Sequence, residues 1–261
     1  MPTRGKDSYS IQSVENALAV LEALCEEEEE FRISQLSEKL GMNKTSVFRL
    51  LATFENRGYV EREKGSGKYR LGLSAYEMGQ KFLSRMGLLR KGKPVLERLV
   101  RECNEAVYLA VRRQEEALFL DLTDTGQQVK IVSLLGNRYP MAENAAGKVL
   151  LAHFIPEEAP ARGKKSAVPG LTPSLQEELA LIREQGYCLD LSSLGEGVAS
   201  LAVPLFAASG EVPGALCMIG PTFRMTPERI HGEFLPRLKE AGEIISSKLG
   251  YMGSYLGKGH S

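Results

Sequence analysis

Two short helical patterns separated by one glycine, between residues 33 and 58, constrain the fold of this chain more than any other feature. Apolar residues three and four positions apart mark one face of each pattern, and Gly41 suits the left-handed conformation that ends a helix. Asn43 is a candidate N-cap of the second helix, and Gly58 ends it. The apolar faces are formed by Ile33, Leu36 and Leu40 in the first helix and by Val47, Leu50, Leu51 and Phe54 in the second. Two short helices joined by so tight a turn are typical of a helix-turn-helix.

A hairpin pattern follows the second helix directly. Residues 59–62 and 69–71 are short β-prone runs on either side of a Gly-Ser-Gly sequence, which predicts a two-stranded hairpin. Upstream, Ser13 is a candidate N-cap of a further helix with one apolar face. That face is formed by Val14, Ala17, Leu18 and Leu21. Three helices followed by a hairpin are the elements of a winged helix-turn-helix.

Positive charge is concentrated in this hairpin and in the helix before it. The whole chain is neutral, because 33 Lys and Arg residues balance 33 Asp and Glu residues. Residues 43–72, in contrast, hold seven basic and three acidic residues, a net charge of +4. Basic side chains on a helix that fits the major groove supply contacts to phosphate groups. An ordinary solvated helix surface would also explain the charge, but the order of the elements favours double-stranded DNA as the partner.

Composition and the scarcity of reactive side chains argue against several classes of protein. A length of 261 residues predicts one or two domains, and 43% hydrophobic with 25% charged residues is ordinary for a globular protein. No run of 18 apolar residues and no apolar N-terminal segment occurs, so we expect a cytoplasmic protein without a membrane partner. The four cysteines stand far apart and no His has zinc-ligand spacing, so we expect no metal site. Common catalytic motifs are missing, and we therefore expect no catalytic residues, no enzyme activity and no cofactor.

The rest of the chain alternates between helical and strand patterns, which predicts an α+β domain. A capping box at Ser74 and Glu77 predicts a helix that ends at residue 85 or 86, and Pro94 is expected in the first turn of the next helix. The final helix is expected to begin after Thr226 and to be interrupted at Pro236. Between them we predict strands at 107–111, 117–122, 129–135 and 186–190, a hairpin at 198–219, and helices at 145–153 and 175–185.

Several motifs resemble the IclR family of bacterial transcription regulators in their order and spacing. In the first part of the chain they are SVENAL at 13–18, ISQLS at 33–37, GMNKTSVFRLL at 41–51, ATFENRGYV at 52–60 and YRLG at 69–72. In the second part they are NAAGK at 144–148, GY at 186–187 with Asp190, EGV at 196–198 with Pro204, and GP at 220–221. The resemblance covers roughly residues 10–249, which is nearly the whole chain.

The resemblance implies a DNA-binding regulator whose second domain, a GAF-like α+β sensor, binds a small-molecule effector. The implied domains are a winged helix-turn-helix at 10–72, a linker helix at 73–87, the effector-binding domain at 88–250 and a disordered tail at 251–261. Because specific DNA affinity usually needs two half-sites, we expect a homodimer or tetramer. The candidate interface between subunits, called the seam below, is formed by Tyr76, Gly79 and Leu83 with residues 14–21. The alternative is a small-molecule-binding or catalytic α+β protein whose N-terminal module mediates protein contacts.

Candidate DNA contacts lie on the polar face of the second helix of the motif and on the hairpin. We expect Ser46 and Arg49 at base edges, and Lys44, Arg62 and Lys68 mainly at phosphates. The full set is Lys44, Thr45, Ser46, Arg49, Arg62, Lys64 and Lys68.

The family resemblance also implies an effector cavity, lined by Ala145, Ala146, Gly147, Asp190, Ser200, Cys217 and Ile219. Small residues at a helix start often serve packing, but free N–H groups there also suit a carboxylate. Ser200 stands where the family usually has Cys, and Cys217 and Ile219 stand where small-acid binders carry Ser. Because Ile219 donates no hydrogen bond and Cys217 only a weak one, we expect a larger, partly apolar carboxylate, aromatic or acyl.

Overall fold

The computed structural model describes residues 10–26, 30–154 and 172–253 of the chain. They divide into two compact units, with the boundary between Arg85 and Met86, and each unit is described by itself. The predicted tail lies outside the described residues except for residues 251–253.

The first unit is the predicted winged helix-turn-helix. Its elements in chain order are α1 (Gln12–Glu26), α2 (Ile33–Lys39), α3 (Lys44–Asn56), β1 (Val60–Arg62), β2 (Tyr69–Leu71) and α4 (Leu73–Arg85). Strands β1 and β2 pair antiparallel, with Val60 opposite Leu71. The three N-terminal helices and the hairpin share one core, in which Val20, Leu36, Val47, Leu51 and Tyr69 are buried.

Local chemistry fixes the turn of the motif and ties the hairpin to α3. Gly41 has a φ of +63°, the left-handed conformation predicted for the turn. The Asn43 side chain accepts a hydrogen bond from the Ser46 N–H at 2.8 Å, which confirms the predicted N-cap of α3. A Cβ atom at Gly72 would lie 2.3 Å from the Gly58 carbonyl oxygen. The wing therefore approaches the end of α3 so closely that only glycine fits.

Two sequence predictions in this unit are wrong in detail. Helix α1 begins at Gln12, before the predicted cap Ser13, and Val14 and Leu18 are half exposed. Its buried face is formed instead by Val20, Ala23 and Leu24. Helix α4 begins at Leu73, and the Ser74 N–H donates to the Gly58 carbonyl at 3.0 Å. Because the turn after α3 supplies that acceptor, the predicted capping box is not formed.

The second unit is built on one antiparallel sheet of six strands, in the order β5-β4-β3-β8-β7-β6. The strands are β3 (Ala106–Arg113), β4 (Glu116–Thr123), β5 (Arg138–Pro140), β6 (Cys188–Asp190), β7 (Val198–Leu205) and β8 (Gly214–Pro221). The helices are α5 (Gly87–Cys103), α6 (Ala145–His153), α7 (Pro173–Gln185), α8 (Pro227–Arg229) and α9 (Leu235–Lys248). A 3-10 turn (Met141–Glu143) precedes α6, and a π-helical turn (Ile230–Phe234) precedes α9.

Helices cover the central strands of the sheet on both faces. Helices α6 and α7 share a core with one face, which includes Tyr108, Phe119 and Cys217. Helices α5 and α9 pack on each other and on the sheet, and a Cβ atom at Gly92 of α5 would lie 3.0 Å from Leu109 Cδ1. Since neighbouring residues of a strand point to opposite faces, all eight residues of β8 are buried. The α+β prediction is confirmed.

Four details of the second unit bear on the sequence predictions. Residues 129–135 form no strand; they belong to an irregular segment whose Leu134 packs into the core beside α6. Pro94 lies in the middle of α5 rather than in its first turn. The expected interruption near Pro236 is confirmed, because the π-helical turn ends two residues before it. The Thr226 side chain caps α8 as predicted.

Candidate nucleic-acid interface and effector site

The polar face of α3 is available to solvent at its N-terminal end. Lys44, Thr45 and Arg49 are exposed, whereas Ser46 is half-buried. The Asn43 cap satisfies the Ser46 N–H, and the Thr53 hydroxyl donates to the Arg49 carbonyl at 2.8 Å. The first turn of the helix is therefore capped where its basic side chains begin.

The wing carries basic side chains whose acidic neighbours are already engaged. Glu61 pairs with Arg70 at 3.2 Å, and Glu63 accepts a hydrogen bond from the Ser66 hydroxyl at the hairpin tip. Arg62 and Lys64 are exposed and Lys68 is half-buried. Within the described ranges, none of these three makes an ion pair with a carboxylate. Their positive charge remains available to an external anion such as a phosphate.

The outer face of α3 also carries an aromatic side chain that the sequence predictions omit. Phe48 is 49% exposed, although it lies between the buried Val47 and the exposed Arg49. The sequence pattern predicts an apolar buried stripe and a polar outer face for this helix. An apolar residue on the outer face belongs to neither class, and its helical spacing from Val47 is the signal that could have found it.

The sheet register aligns the candidate effector residues. Asp190 on β6 lies opposite Ser200 on β7, Ser200 lies opposite Ile219 on β8, and Ile219 lies opposite Ala106 on β3. A second row, two residues along, runs through Cys188, Ala202, Cys217 and Tyr108. Directly opposed side chains are about 5 Å apart at Cβ. Both rows belong to the face that packs beside α6.

Asp190 is bound on all sides by groups of the protein itself. Its carboxylate accepts hydrogen bonds from the Ser193 N–H at 2.8 Å, the Ser193 hydroxyl at 2.7 Å and the Ser192 N–H at 3.2 Å. Lys148 Nζ on α6 lies 3.2 Å from it and 2.9 Å from Glu178. Burial alone would raise the pKa of Asp190, but the Ser193 hydrogen bonds, with those of Ser192 and Lys148, lower it below its ordinary value. The aspartate is ionised and joins the sheet to α6.

Ser200 is in the opposite situation. Its side chain is 1% exposed, and its hydroxyl oxygen has no hydrogen-bond partner among the residues described. An unpaired buried hydroxyl costs about 1–3 kcal/mol relative to a paired one. This hydroxyl lies beside the anchored Asp190 and is open to a further hydrogen bond.

The nearby thiols are chemically inert. Burial raises the pKa of Cys188 to about 12 and raises that of Cys217 still further. Both are therefore neutral thiols at physiological pH, unsuited to act as nucleophiles. Within residues 10–26, 30–154 and 172–253, no cluster of three His, Cys, Asp or Glu side chains could hold a metal ion.

Packing explains one of the small residues at the start of α6, Gly147. The Asn144 side chain accepts the Gly147 N–H at 2.7 Å and donates to the Pro140 carbonyl at 2.9 Å. A Cβ atom at Gly147 would lie 2.4 Å from the Met141 carbonyl oxygen, so packing alone requires glycine there. Ala145 and Ala146 are buried in the core that includes Cys217 and Ile219.

None of the helices described is long and apolar enough to cross a membrane.

Comparison with known proteins identifies both units. Residues 13–64 match the IclR helix-turn-helix domain, and residues 80–247 match the family described as bacterial transcriptional regulator IclR, C-terminal. The HTH-type transcriptional regulator KdgR of Dickeya chrysanthemi is 33% identical over 253 residues, covering 94% of this chain and 82% of that protein.

Solved structures have the same fold. The IclR of Thermotoga maritima aligns with a TM-score of 0.71 and 26% identity over 93% of this chain and all of that chain. An IclR homologue from Microbacterium hydrocarbonoxydans, complexed with 4-hydroxybenzoate, aligns with a TM-score of 0.76 and 24% identity over 91% of this chain and 99% of that chain.

These matches span both units, and they set aside the alternative of a catalytic protein with a protein-interaction module. The first unit supplies a DNA-binding helix-turn-helix, and the second is the effector domain. The chain belongs to the IclR family of bacterial transcriptional regulators, and it is a DNA-binding regulator rather than an enzyme.

Proposed function

We propose that this regulator binds its operator through α3 and the wing, and that an organic acid with an apolar body, bound between α6 and the sheet, modulates that binding. The observation that carries the effector site is the Ser200 hydroxyl, buried and without a partner in the described part of the chain. A ligand that accepts or donates one hydrogen bond there would remove its desolvation cost. Such a regulator acts on chromosomal DNA, so we place its work in the cytoplasm.

Residue roles at the DNA follow from exposure and charge. Arg49, exposed on the outer face of α3, reaches base edges, where a bidentate arginine contact distinguishes guanine. Ser46 contacts a base edge from the same helix. The remaining contacts, which position the protein along the phosphate backbone, come from Lys44, Thr45, Arg62, Lys64 and Lys68.

The chemistry of the sheet face argues for a ligand with an apolar body. Ala106, Ala202, Cys217 and Ile219 surround Ser200 in the two rows, and none of them offers a strong hydrogen-bond donor. Asp190 has its acceptor sites occupied by Ser192, Ser193 and Lys148, so we assign it the role of a positioning residue. The carboxylate of the ligand would lie at the start of α6, near Ala145 and Ala146, where the helix dipole is positive.

Self-association would connect effector binding to DNA affinity. Exposed apolar side chains lie on α1 and α4, among them Val14, Leu18 and Tyr76, where Gly79 and Leu83 complete the predicted seam. We propose that the chain is a homodimer, or a dimer of dimers, in which the spacing of two winged helices matches two half-sites. The effector would act by its differential affinity for two such spacings, which is typically worth about 1–3 kcal/mol.

Calorimetry on the full-length protein tests the effector site. We expect 4-hydroxybenzoate or benzoate to bind more tightly than pyruvate, and benzyl alcohol, which lacks the carboxylate, to bind more weakly than benzoate. Ile219→Ser should reverse the preference between benzoate and pyruvate, and Ser200→Ala should weaken every ligand that binds. If neither substitution changes the affinity of any ligand that binds, the effector site lies elsewhere.

A gel-shift titration with operator duplex tests the coupling. Reciprocity requires the operator to change ligand affinity by the same factor by which the ligand changes operator affinity. A ligand that binds the protein and leaves its operator affinity unchanged would contradict the coupling. A monomer by light scattering that still binds one half-site tightly would contradict the dimer.

A further inference from the structure

One apolar side chain stands among the proposed DNA contacts of α3. Phe48 is 49% exposed, and it lies about 100° around the helix from Val47, whose side chain is fully buried. Its neighbours on the helix surface are Lys44 and Thr45, one turn toward the N-terminus, both exposed. The N-terminal half of a recognition helix is the part that meets base edges, so Phe48 occupies a position from which a base can be reached.

The surroundings of Phe48 determine what can cover it. Lys44, one turn before Phe48, and Arg49, the next residue in the helix, are both exposed. Two positive charges this close favour an anionic partner. A second copy of this chain docking face to face would bring the same two basic side chains to the contact, where like charges repel. In the major groove of DNA, the bases present one apolar group, the C5-methyl of thymine, and phenylalanine is a side chain that contacts it.

We propose that Phe48 reads a thymine in the operator by packing its ring against the thymine C5-methyl group. The inference rests on the proposed role of α3 as the recognition helix and adds a specificity contact that contains no hydrogen bond. Arg49 selects its base by polar contacts, while Phe48 selects against cytosine, which lacks the methyl group at the same place in the groove. Discrimination by α3 then combines one polar and one apolar contact.

The magnitude follows from the size of the group that is buried. Removing one methyl from water is worth about a fourfold change in an equilibrium constant. Replacing thymine by deoxyuridine removes this methyl and leaves every hydrogen-bonding group of the base pair in place. The comparison therefore isolates the contact.

The experiment uses full-length protein and an operator duplex selected from random DNA. Each thymine is replaced in turn by deoxyuridine, and the dissociation constant is measured for the wild type, Phe48→Ala and Phe48→Leu. At one thymine of the half-site, we expect the wild type to lose about fourfold in affinity and Phe48→Ala to lose nothing further. Phe48→Leu, which keeps an apolar surface, should retain part of the sensitivity.

Two control variants distinguish a failure of the Phe48 contact from a failure of α3 as the recognition helix. Phe223, which is 66% exposed in the second unit, supplies the matched substitution Phe223→Ala, which should retain full sensitivity to the methyl group. Arg49→Ala tests α3 itself: if it leaves operator affinity unchanged, the recognition-helix proposal fails together with this one. For each variant, the affinity for the thymine duplex is divided by the affinity for the deoxyuridine duplex, so a general loss of stability cancels. If Phe48→Ala does not bind DNA, Phe48→Leu supplies this ratio.

The inference is overturned if Phe48→Ala is as sensitive as the wild type at every thymine. It is equally overturned if the wild type is indifferent to every methyl group, or if the selected operator contains no thymine. In either of these cases, a loss of affinity in Arg49→Ala would still support α3 as the recognition helix.

Discussion

Replacing Ser200 by alanine should make the protein without ligand more stable, which is the reverse of what most buried substitutions do. The hydroxyl of Ser200 is buried in β7 and has no partner within the described residues. The folded state therefore bears the desolvation cost of this group, about 1–3 kcal/mol, without the return of a hydrogen bond. Alanine removes the hydroxyl and leaves a cavity smaller than a methyl group, so the net change should stabilise by about 1 kcal/mol.

Ser246 provides a matched control in the same unit. Like Ser200 it is 1% exposed, but its hydroxyl oxygen accepts the Phe206 N–H at 2.9 Å. Ser246→Ala would leave that N–H without this acceptor and should destabilise by about 1–3 kcal/mol. Two buried serines of equal exposure are thus expected to change stability in opposite directions.

Hydrogen exchange of the β8 amides in the full-length protein measures both effects in one unit. Slower exchange is expected for Ser200→Ala and faster exchange for Ser246→Ala. The same Ser200→Ala protein should bind its effector up to about tenfold more weakly, because one hydrogen bond is lost. If Ser200→Ala is destabilised as much as Ser246→Ala, the Ser200 hydroxyl is already paired in the protein without ligand, and it is not the group that the effector satisfies.

The other predictions concern DNA contacts, backbone packing and pH. Arg49→Ala should cost about 1–3 kcal/mol of operator affinity and relax specificity, whereas Lys68→Ala should weaken all sequences alike and reduce the salt slope by about 1; unchanged affinity in the first contradicts the assignment of α3. In a chemical unfolding experiment, Gly147→Ala should destabilise by about 1–3 kcal/mol, because its Cβ would lie 2.4 Å from the Met141 carbonyl oxygen. Gly232→Ala, which has open space around it, should be tolerated in the same experiment. Burial, with the charge of Arg183, lowers the pKa of His153 from its ordinary 6.5. As pH falls, His153 therefore takes up a proton in the unfolded chain before it does so in the folded protein. The free energy of unfolding should fall as pH drops below about 6.5, by at most about 1.4 kcal/mol per pH unit. His153→Gln should flatten that slope, and an unchanged slope would contradict the assignment to His153.

Local signals predicted the first unit well because its elements are short and each end has its own chemistry. The Gly41 turn, the Asn43 cap and the hairpin around residues 65–67 all depend on residues close in sequence. The start of α4 could not be predicted in this way. The Ser74 N–H in its first turn donates to the carbonyl of Gly58, sixteen residues upstream, and no pattern within the helix predicts that acceptor.

The failed strand at residues 129–135 has a similar cause. Alternating apolar residues there match a strand pattern, yet Leu134 packs beside α6 and the Val129 carbonyl accepts a hydrogen bond from Arg224 at 2.8 Å. Arg224 is itself held by the buried Glu105 at 2.9 Å. Periodicity reports which residues are buried, but a partner almost a hundred residues away decides whether the backbone joins a sheet.

The structure distinguishes two effector residues that the family resemblance groups together. Motif positions alone treat Asp190 and Ser200 as equal members of one cavity, but their hydrogen bonding separates them. Asp190 depends on the turn at Ser192 and Ser193 and on Lys148 from another element, so changes at those three positions should alter ligand affinity without touching the ligand. Ser200 makes no hydrogen bond to any of them, so we expect a substitution there to act on the ligand directly. Relatives that differ in effector are therefore expected to differ first at the positions of Ser200, Cys217 and Ile219, because these can change without releasing the ion pair that joins α6 to the sheet.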